Sequence, residues 1–501
     1  MLLDLKDYII KVRRIAMIKQ HVTMLADFYE FTMAYAYYKQ NRQNDIVYFD
    51  LFTRKHPDDN GYIIFNGITR IIEAVKNFKF TEDELEYLRC QGFDDDGFLD
   101  YLRHIDLKLD IYGVPDGTVM FKNEPLLTIR GPIIECQLVE TLFLLSVNYS
   151  TLITTKASRI VKAAQGRAIL EFGARRAQGY DAAVEGARCA VIGGCVGTSN
   201  TLAGYQYGVP MVGTLAHSYV QLFEDEYDAF LSYAKVHPDN TILLVDTYNT
   251  LKSGVPNAIR VSKEFLEPNG YRLKGIRLDS GDLAYLSKET RKMLDEAGLH
   301  DVDISASNSL NEIVIDDLIQ QGAKIDTFGV GENLITSATS PVIGGVYKIV
   351  ADEKDDGSIR PLIKISDNVE KVTNPGFKRT YRFYDNETNK ALADYIALCY
   401  EVVPEDEITI FDPLAPWKKK TLTNYSIREL HVPIFKQGEL VYDVPSLQET
   451  IEYTQKELST MWEEVLRLRN PHEYYVDLSQ DLYDLKHDLI DTNIKKLKKR
   501  K

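Results

Sequence analysis

From Val139 onward the chain alternates between two textures, and that alternation narrows the fold more than any other feature. Short β-rich runs occur at Ala168–Phe172, Val209–Val212, Thr241–Val245, Gly275–Leu278, Asp303–Ala306 and Ile325–Phe328, each followed by Gly, Asp, Ser or Asn. Helical patterns such as Leu286–Ala297 and Asn311–Gln321 follow several of them. Strands and helices alternating at this spacing require parallel strands joined by crossover helices. Fewer than eight strands are visible. The prediction is therefore an α/β fold, an irregular or incomplete TIM-like barrel, preceded by one or two buried helices over Val139–Ala164.

The flanking segments read differently. Leu25–Asn41 has the apolar content of a helix, with Phe28, Tyr29, Phe31, Tyr35 and Tyr38 mostly expected in a core. Asp45–Phe52 has the β-branched and aromatic content of a strand, and Leu107–Tyr112 with Val119–Ile129 suggests a small β-rich region. Thr81 before Glu82-Asp83-Glu84 marks a helix start, with acids near the positive end of the dipole. Beyond the polar turn Glu353–Gly357 come β-like pieces at Tyr381–Phe383 and Ile408–Phe411, then a polar helix over Ser446–Arg469. The expected division is 1–140 as an N-terminal α+β domain and 141–352 as the barrel. Residues 353–501 form a C-terminal segment packing on the first domain, with a subunit interface expected there.

Composition removes several classes of function. The formal charge of −15 over 501 residues disfavours a nucleic-acid partner, whose phosphates would repel the chain. The one basic cluster, Lys495–Lys501, reads as a solvated, frayed tail. Five widely scattered cysteines, with only the loose Cys189/Cys195 pair close in sequence, fit reduced thiols in a cytoplasmic protein. Met1–Gln20 interleaves charges with apolar residues, so it lacks a signal-peptide core; a short amphipathic helix fits it, and Met17 would serve equally well as a start. No run of about 20 apolar residues is present to span a membrane.

The chemistry gathers at the strand ends. Gly213-Thr214-Leu215-Ala216-His217-Ser218 follows one run, Arg277-Leu278-Asp279-Ser280-Gly281-Asp282 overlaps another, and Phe328-Gly329-Val330-Gly331 closes a third. Barrels place their sites at such ends, and imidazole both accepts protons near neutral pH and takes a phosphoryl group on nitrogen. A lone histidine is more often structural. Here phosphate-friendly loops at neighbouring ends point to phosphoryl handling, and Arg167, Arg175, Arg176, Arg188 and Arg277 supply cations for a locally basic pocket.

These segments resemble the nicotinate phosphoribosyltransferase family. The similarity continues through Asp27–Ala34, Asn148–Ala157, Glu171–Arg176, Gly197–Asn200 and Gly344–Lys348, in order, and fades after about Asp352. The resemblance implies a barrel with an additional α+β domain formed from the N- and C-terminal segments. It implies synthesis of nicotinate mononucleotide and pyrophosphate from nicotinate and 5-phosphoribosyl 1-pyrophosphate, as a step of NAD biosynthesis. ATP is the implied co-substrate, Mg2+ the implied ion and a homodimer the expected assembly.

Residue by residue, the resemblance assigns Phe172 and Tyr29 to stacking on pyridine, worth about 0.5–1.5 kcal/mol beyond burial; either alone would read as a core aromatic. Arg277 and Thr214 would grip the carboxylate, with Ser199 close by. Nicotinamide-using relatives carry aspartate at the position matching Ser199, so serine favours the acid. Asp279 would accept from the ribose hydroxyls. Ser307, Asn308, Gly331 and the backbone N–H of Glu332 would meet the 5′-phosphate. Arg175 and Lys156 are assigned to pyrophosphate, unless they are merely solvated surface charges. No dedicated Mg2+ carboxylate cluster is visible, which fits an ion held by substrate phosphates. His217 would become a phosphohistidine that couples ATP hydrolysis to synthesis, with Asp246 orienting its other ring nitrogen unless it is a surface charge.

Three rivals are weighed. A nicotinamide phosphoribosyltransferase is disfavoured by Ser199. A non-catalytic nicotinate- or nucleotide-binding regulator would be signalled by loss of His217 or Arg277, and both are present. An aldolase-like barrel would need a Schiff-base lysine at a strand end, where none stands.

Overall fold

A computed structural model describes residues 21–366, 368 and 371–499. Met1–Gln20, with its expected amphipathic helix, lies outside them, as do Arg500 and Lys501. The rest of the basic tail closes the final helix, Gln480–Lys499, rather than fraying. The chain divides into two compact units, one comprising Ile153–Pro341 and the other the segments Met1–Leu152 and Val342–Lys501.

The two-segment unit is built on a seven-stranded antiparallel sheet. Its order is Ile359–Pro361, Gly345–Glu353, Ile46–Thr53, Pro125–Pro132, Asp110–Gly113, Val432–Lys436 and Glu439–Leu440. Ile46–Thr53 is buried along nearly its whole length. Both faces are covered, and the run is apolar except for Thr53 and for Asp50, which is paired with buried Lys378. Gly345–Glu353, which the sequence reading kept with the barrel, hydrogen-bonds to Ile46–Thr53. Val119–Ile129, expected to be punctuated at Glu124-Pro125, holds two strands, Val119–Met120 and Pro125–Pro132, on either side of Asn123, whose φ is 66°. A second sheet orders Tyr425–Glu429, Lys378–Asp385, Ala391–Leu398 and Val476–Leu478. Under it Arg382 is wholly buried and forks onto Asp394 at 2.7 and 2.6 Å. The expected helix start at Thr81 is a full capping box with Glu84.

The Ile153–Pro341 unit holds six parallel strands in the order Gly197–Thr198, Ala168–Glu171, Thr327–Val330, Asp303–Ser307, Gly275–Leu278 and Ile242–Leu244. The first and last strands do not pair, so the barrel is incomplete. Val209–Val212, expected as a strand, contributes a single bridge from Met211 to Thr198. Pro210 offers its carbonyl to the Thr198 N–H but has no N–H of its own to extend the ladder. Buried Leu243, Ile276, Leu278 and Ile304 anchor the core beneath. Glu140–Ala163 is one helix that carries the chain into this unit.

Candidate active site

Parallel registry sets what meets at the strand ends. Ser305 pairs with Arg277, and Gly329 with Leu170. Side chains alternate faces along a strand, so Arg277 and Asp279 share a face with Ser307, and Phe172 shares one with Gly329. The contacts follow. Arg277 Nε donates to Ser307 Oγ at 2.8 Å, one terminal nitrogen donates to Thr214 Oγ1 at 3.3 Å, and the other to Asp279 Oδ1 at 2.9 Å. Ser307 Oγ also donates to Asp279 Oδ1. The guanidinium carbon lies 5.4 Å from the centroid of Phe172. A planar cation is thus locked by three partners, with its remaining N–H groups available to an anion and an aromatic face beside it.

Gly329 is what lets that ring in. A Cβ there would stand 2.5 Å from the Phe172 ring, so the ring rests on bare backbone. Phe172 N–H donates to the Val330 carbonyl at 2.8 Å, which fixes the turn.

His217 opens a short helix, His217–Gln221, beside this cluster. Its Nε2 lies 3.8 Å from Asp279 Oδ2 and 3.9 Å from Asp246 Oδ1. Asp246, expected to orient the ring nitrogen that does not take the phosphoryl group, thus lies near Nε2, while Nδ1 pairs with Thr247 Oγ1 at 3.1 Å. Asp246 is occupied differently: Oδ2 accepts the Asp279 N–H at 2.9 Å and Ser280 Oγ–H at 2.6 Å. Its buried Oδ1 has no hydrogen-bond partner. Asp246 therefore braces the loop that presents Asp279.

Comparison with known proteins decides the family. Residues 24–148 match the nicotinate phosphoribosyltransferase (NAPRTase) N-terminal domain, 168–394 the NAPRTase family and 377–486 its C-terminal domain. The nicotinate phosphoribosyltransferase of Bacillus subtilis (strain 168) is 46% identical over 469 residues, covering 93% of this chain and 94% of that one. The chain belongs to the nicotinate phosphoribosyltransferase family. The Homo sapiens relative of the same name is 31% identical over 525 residues, with 93% and 96% coverage. The crystal structure of human nicotinic acid phosphoribosyltransferase superposes with a TM-score of 0.82 at 30% identity, over 93% of this chain and 99% of that one.

The remaining candidates of this phosphoribosyltransferase are mostly exposed. Ser199 exposes its side chain, while its N–H donates to the Glu171 carbonyl at 2.9 Å. Asn308 is exposed with a left-handed φ of 88° directly after Ser307, Gly331 caps the helix Glu332–Ile335, and Arg175 is exposed in the turn Ala174–Arg176. Glu332 faces outward, 3.6 Å from Arg176. Tyr29 belongs to the two-segment unit, half exposed on the helix Phe28–Lys39; burial and Glu140 push its hydroxyl pKa up.

Lys156 departs from its expected role. It is 2% exposed, and Nζ donates to Glu312 Oε1 at 2.8 Å and to Thr339 Oγ1 at 3.1 Å. Arg159 Nε lies 3.5 Å from the same Glu312 oxygen, so Lys156 belongs to a buried ion cluster. Thr247, Ser280 and Glu171 were passed over by sequence reasoning as sites in their own right. Each sits inside or next to a chosen motif, and adjacency to Asp246, Asp279 and Phe172 was the available signal.

Among the described residues no group of three or more His, Cys, Asp or Glu is arranged to hold a metal ion. No described helix is long and apolar enough to cross a membrane.

Proposed function

We propose that the protein couples ATP hydrolysis to the synthesis of nicotinate mononucleotide from nicotinate and 5-phosphoribosyl 1-pyrophosphate. The observation that carries this reading is Arg277 held by Thr214, Ser307 and Asp279 beside the Phe172 ring, with His217 next to Asp279. In the reaction the pyridine nitrogen forms a bond to the anomeric carbon as that carbon's bond to the pyrophosphate oxygen breaks. Phe172 stacks on the base, and Arg277 with Thr214 binds its carboxylate. Asp279 accepts from the ribose hydroxyls as positive charge develops on the ring. Ser307, Asn308 and the backbone at Gly331 and Glu332 hold the 5′-phosphate, and Arg175 attracts the departing pyrophosphate.

His217 takes the γ-phosphoryl of ATP on a ring nitrogen and loses it to water within the cycle. Mg2+ would arrive on the substrate phosphates and share their charge with Arg175. All five cysteines are free thiols, which suits a reducing cytoplasm.

Ser199 supports the choice of acid over amide, because an aspartate there would repel nicotinate. Purified protein should prefer nicotinate to nicotinamide by at least about 100-fold in kcat/KM, about 2.7 kcal/mol. With γ-labelled ATP it should acquire an acid-labile, base-stable label. His217→Ala should abolish labelling and ATP hydrolysis while leaving slow phosphoribosyl transfer. Comparable turnover of nicotinamide sinks the base assignment, and labelling of the alanine variant sinks the coupling assignment.

A further inference from the structure

The reverse face of the base-binding strands carries a carboxylate that the reaction above does not use. Glu171 is the last residue of the strand Ala168–Glu171, and registry sets it between Val330 and Thr198. It is fully buried. Oε2 accepts from Thr198 Oγ1 at 2.5 Å, Oε1 accepts the Gly173 N–H, and the Glu171 carbonyl accepts the Ser199 N–H at 2.9 Å. Thr198 Oγ1 in turn accepts the Asn200 N–H at 2.9 Å. Burial pushes the Glu171 carboxyl pKa up, and the two neutral donors, Thr198 and Gly173, pull it back.

A buried carboxylate held by two neutral donors is an expensive way to join two loops. What it joins explains its presence. On one side stands the Phe172–Gly173 turn, whose ring lies on the backbone of Gly329. On the other stands Thr198, directly before Ser199 and the Asn200 cap of the helix Thr201–Tyr207. The two groups that stack on the pyridine and read its substituent are therefore tied to each other through one side chain behind them.

We propose that Glu171 is a positioning residue for the base: it fixes Phe172 relative to Ser199 and so sets affinity for the pyridine acid, without acting on the phosphoribosyl half. This rests on the nicotinate reading given above. Removing either end of the Glu171–Thr198 bond loosens the same spacing, so the two residues act as one unit.

Steady-state kinetics with nicotinate and 5-phosphoribosyl 1-pyrophosphate varied separately tests this in Glu171→Ala, Glu171→Gln, Thr198→Val and the Glu171→Ala/Thr198→Val double variant. The nicotinate KM should rise about tenfold or more in Glu171→Ala, as expected for a buried bond lost with its partner left unpaired. The KM for the phosphoribosyl substrate should stay within about twofold, a split that general loosening of the fold does not produce. The double variant should be no worse than Glu171→Ala alone, because the two residues share one interaction. Glu171→Gln, which keeps an acceptor for the Gly173 N–H, should recover most of the loss. Equal rises in both KM values, additive losses, or an unchanged nicotinate KM overturn the assignment. Should Glu171→Ala fail to fold, Thr198→Val, which removes the other end of the same bond, carries the KM split and decides it. A parent protein that turns over no nicotinate overturns the base reading and this proposal together; turnover without the split overturns only the role of Glu171.

Discussion

Arg277 does with geometry what lysine could do only with charge. Its fork meets Ser307, Thr214 and Asp279 together, an arrangement open to a planar guanidinium and closed to a single ammonium. Arg277→Lys should keep the fold and lose at least about tenfold in kcat/KM for nicotinate, roughly 1.4 kcal/mol. Near-normal kinetics in the folded variant would remove Arg277 from substrate contact. Much of this cluster was legible, since Thr214, Arg277, Asp279 and Ser307 all lie at the ends of recognisable strands. Two assignments were not. The partner of His217 Nδ1 is Thr247, with Asp246 near Nε2, a division decided by loop dihedrals that no periodicity encodes. Lys156 looks like an available cation until its helix face is known; burial comes from Glu312, 156 positions away.

Strand ends in this barrel work because certain backbones come unusually close. At Gly329 the gain is a seat for Phe172, and Gly329→Ala tests it directly. The new methyl should push the ring aside, costing about 1–3 kcal/mol of stability and raising the nicotinate KM several-fold. Calorimetry and kinetics read the two effects, and a variant with unchanged KM would show that the ring does not need that seat. At this scale the sequence was informative where a run was long or cleanly bounded. Gly275–Leu278 is a strand over the expected residues, and the helix expected at Asn311 starts at Glu312 with Asn311 as its cap. It misled where apolar content stood in for pairing. Val209–Val212 has the residues of a strand, but Pro210 supplies no N–H, and the shorter Gly197–Thr198 takes the place in the sheet.

Across the whole molecule, acid groups make stability depend on pH. Burial pushes Glu135 from an ordinary 4.5 to about 7 and Glu30 likewise to about 7. Between pH 4.5 and 7 the folded chain keeps these protons while the unfolded chain releases them, so stability falls as pH rises through that window. Glu135→Gln cannot ionise, yet its amide oxygen still accepts from the Lys108 N–H that Glu135 holds at 2.5 Å. The variant should gain on the parent, on the order of 2 kcal/mol, as pH is raised from below this window to above it. A melting-temperature difference independent of pH would contradict the assignment. The barrel class was readable from strand–helix alternation, and the C-terminal segment was expected on the N-terminal domain, but no local pattern records which distant strands will pair. That pairing has a consequence for how the molecule is made. Ile153–Pro341 leaves the ribosome as one continuous stretch, able to assemble while synthesis continues. The interior strand Ile46–Thr53 is born early but must wait for Gly345–Glu353, and Asp110–Gly113 must wait longer still for Val432–Lys436. For most of translation the earliest part of the chain is therefore an unfinished sheet with open edges, the state in which a nascent protein most needs a chaperone.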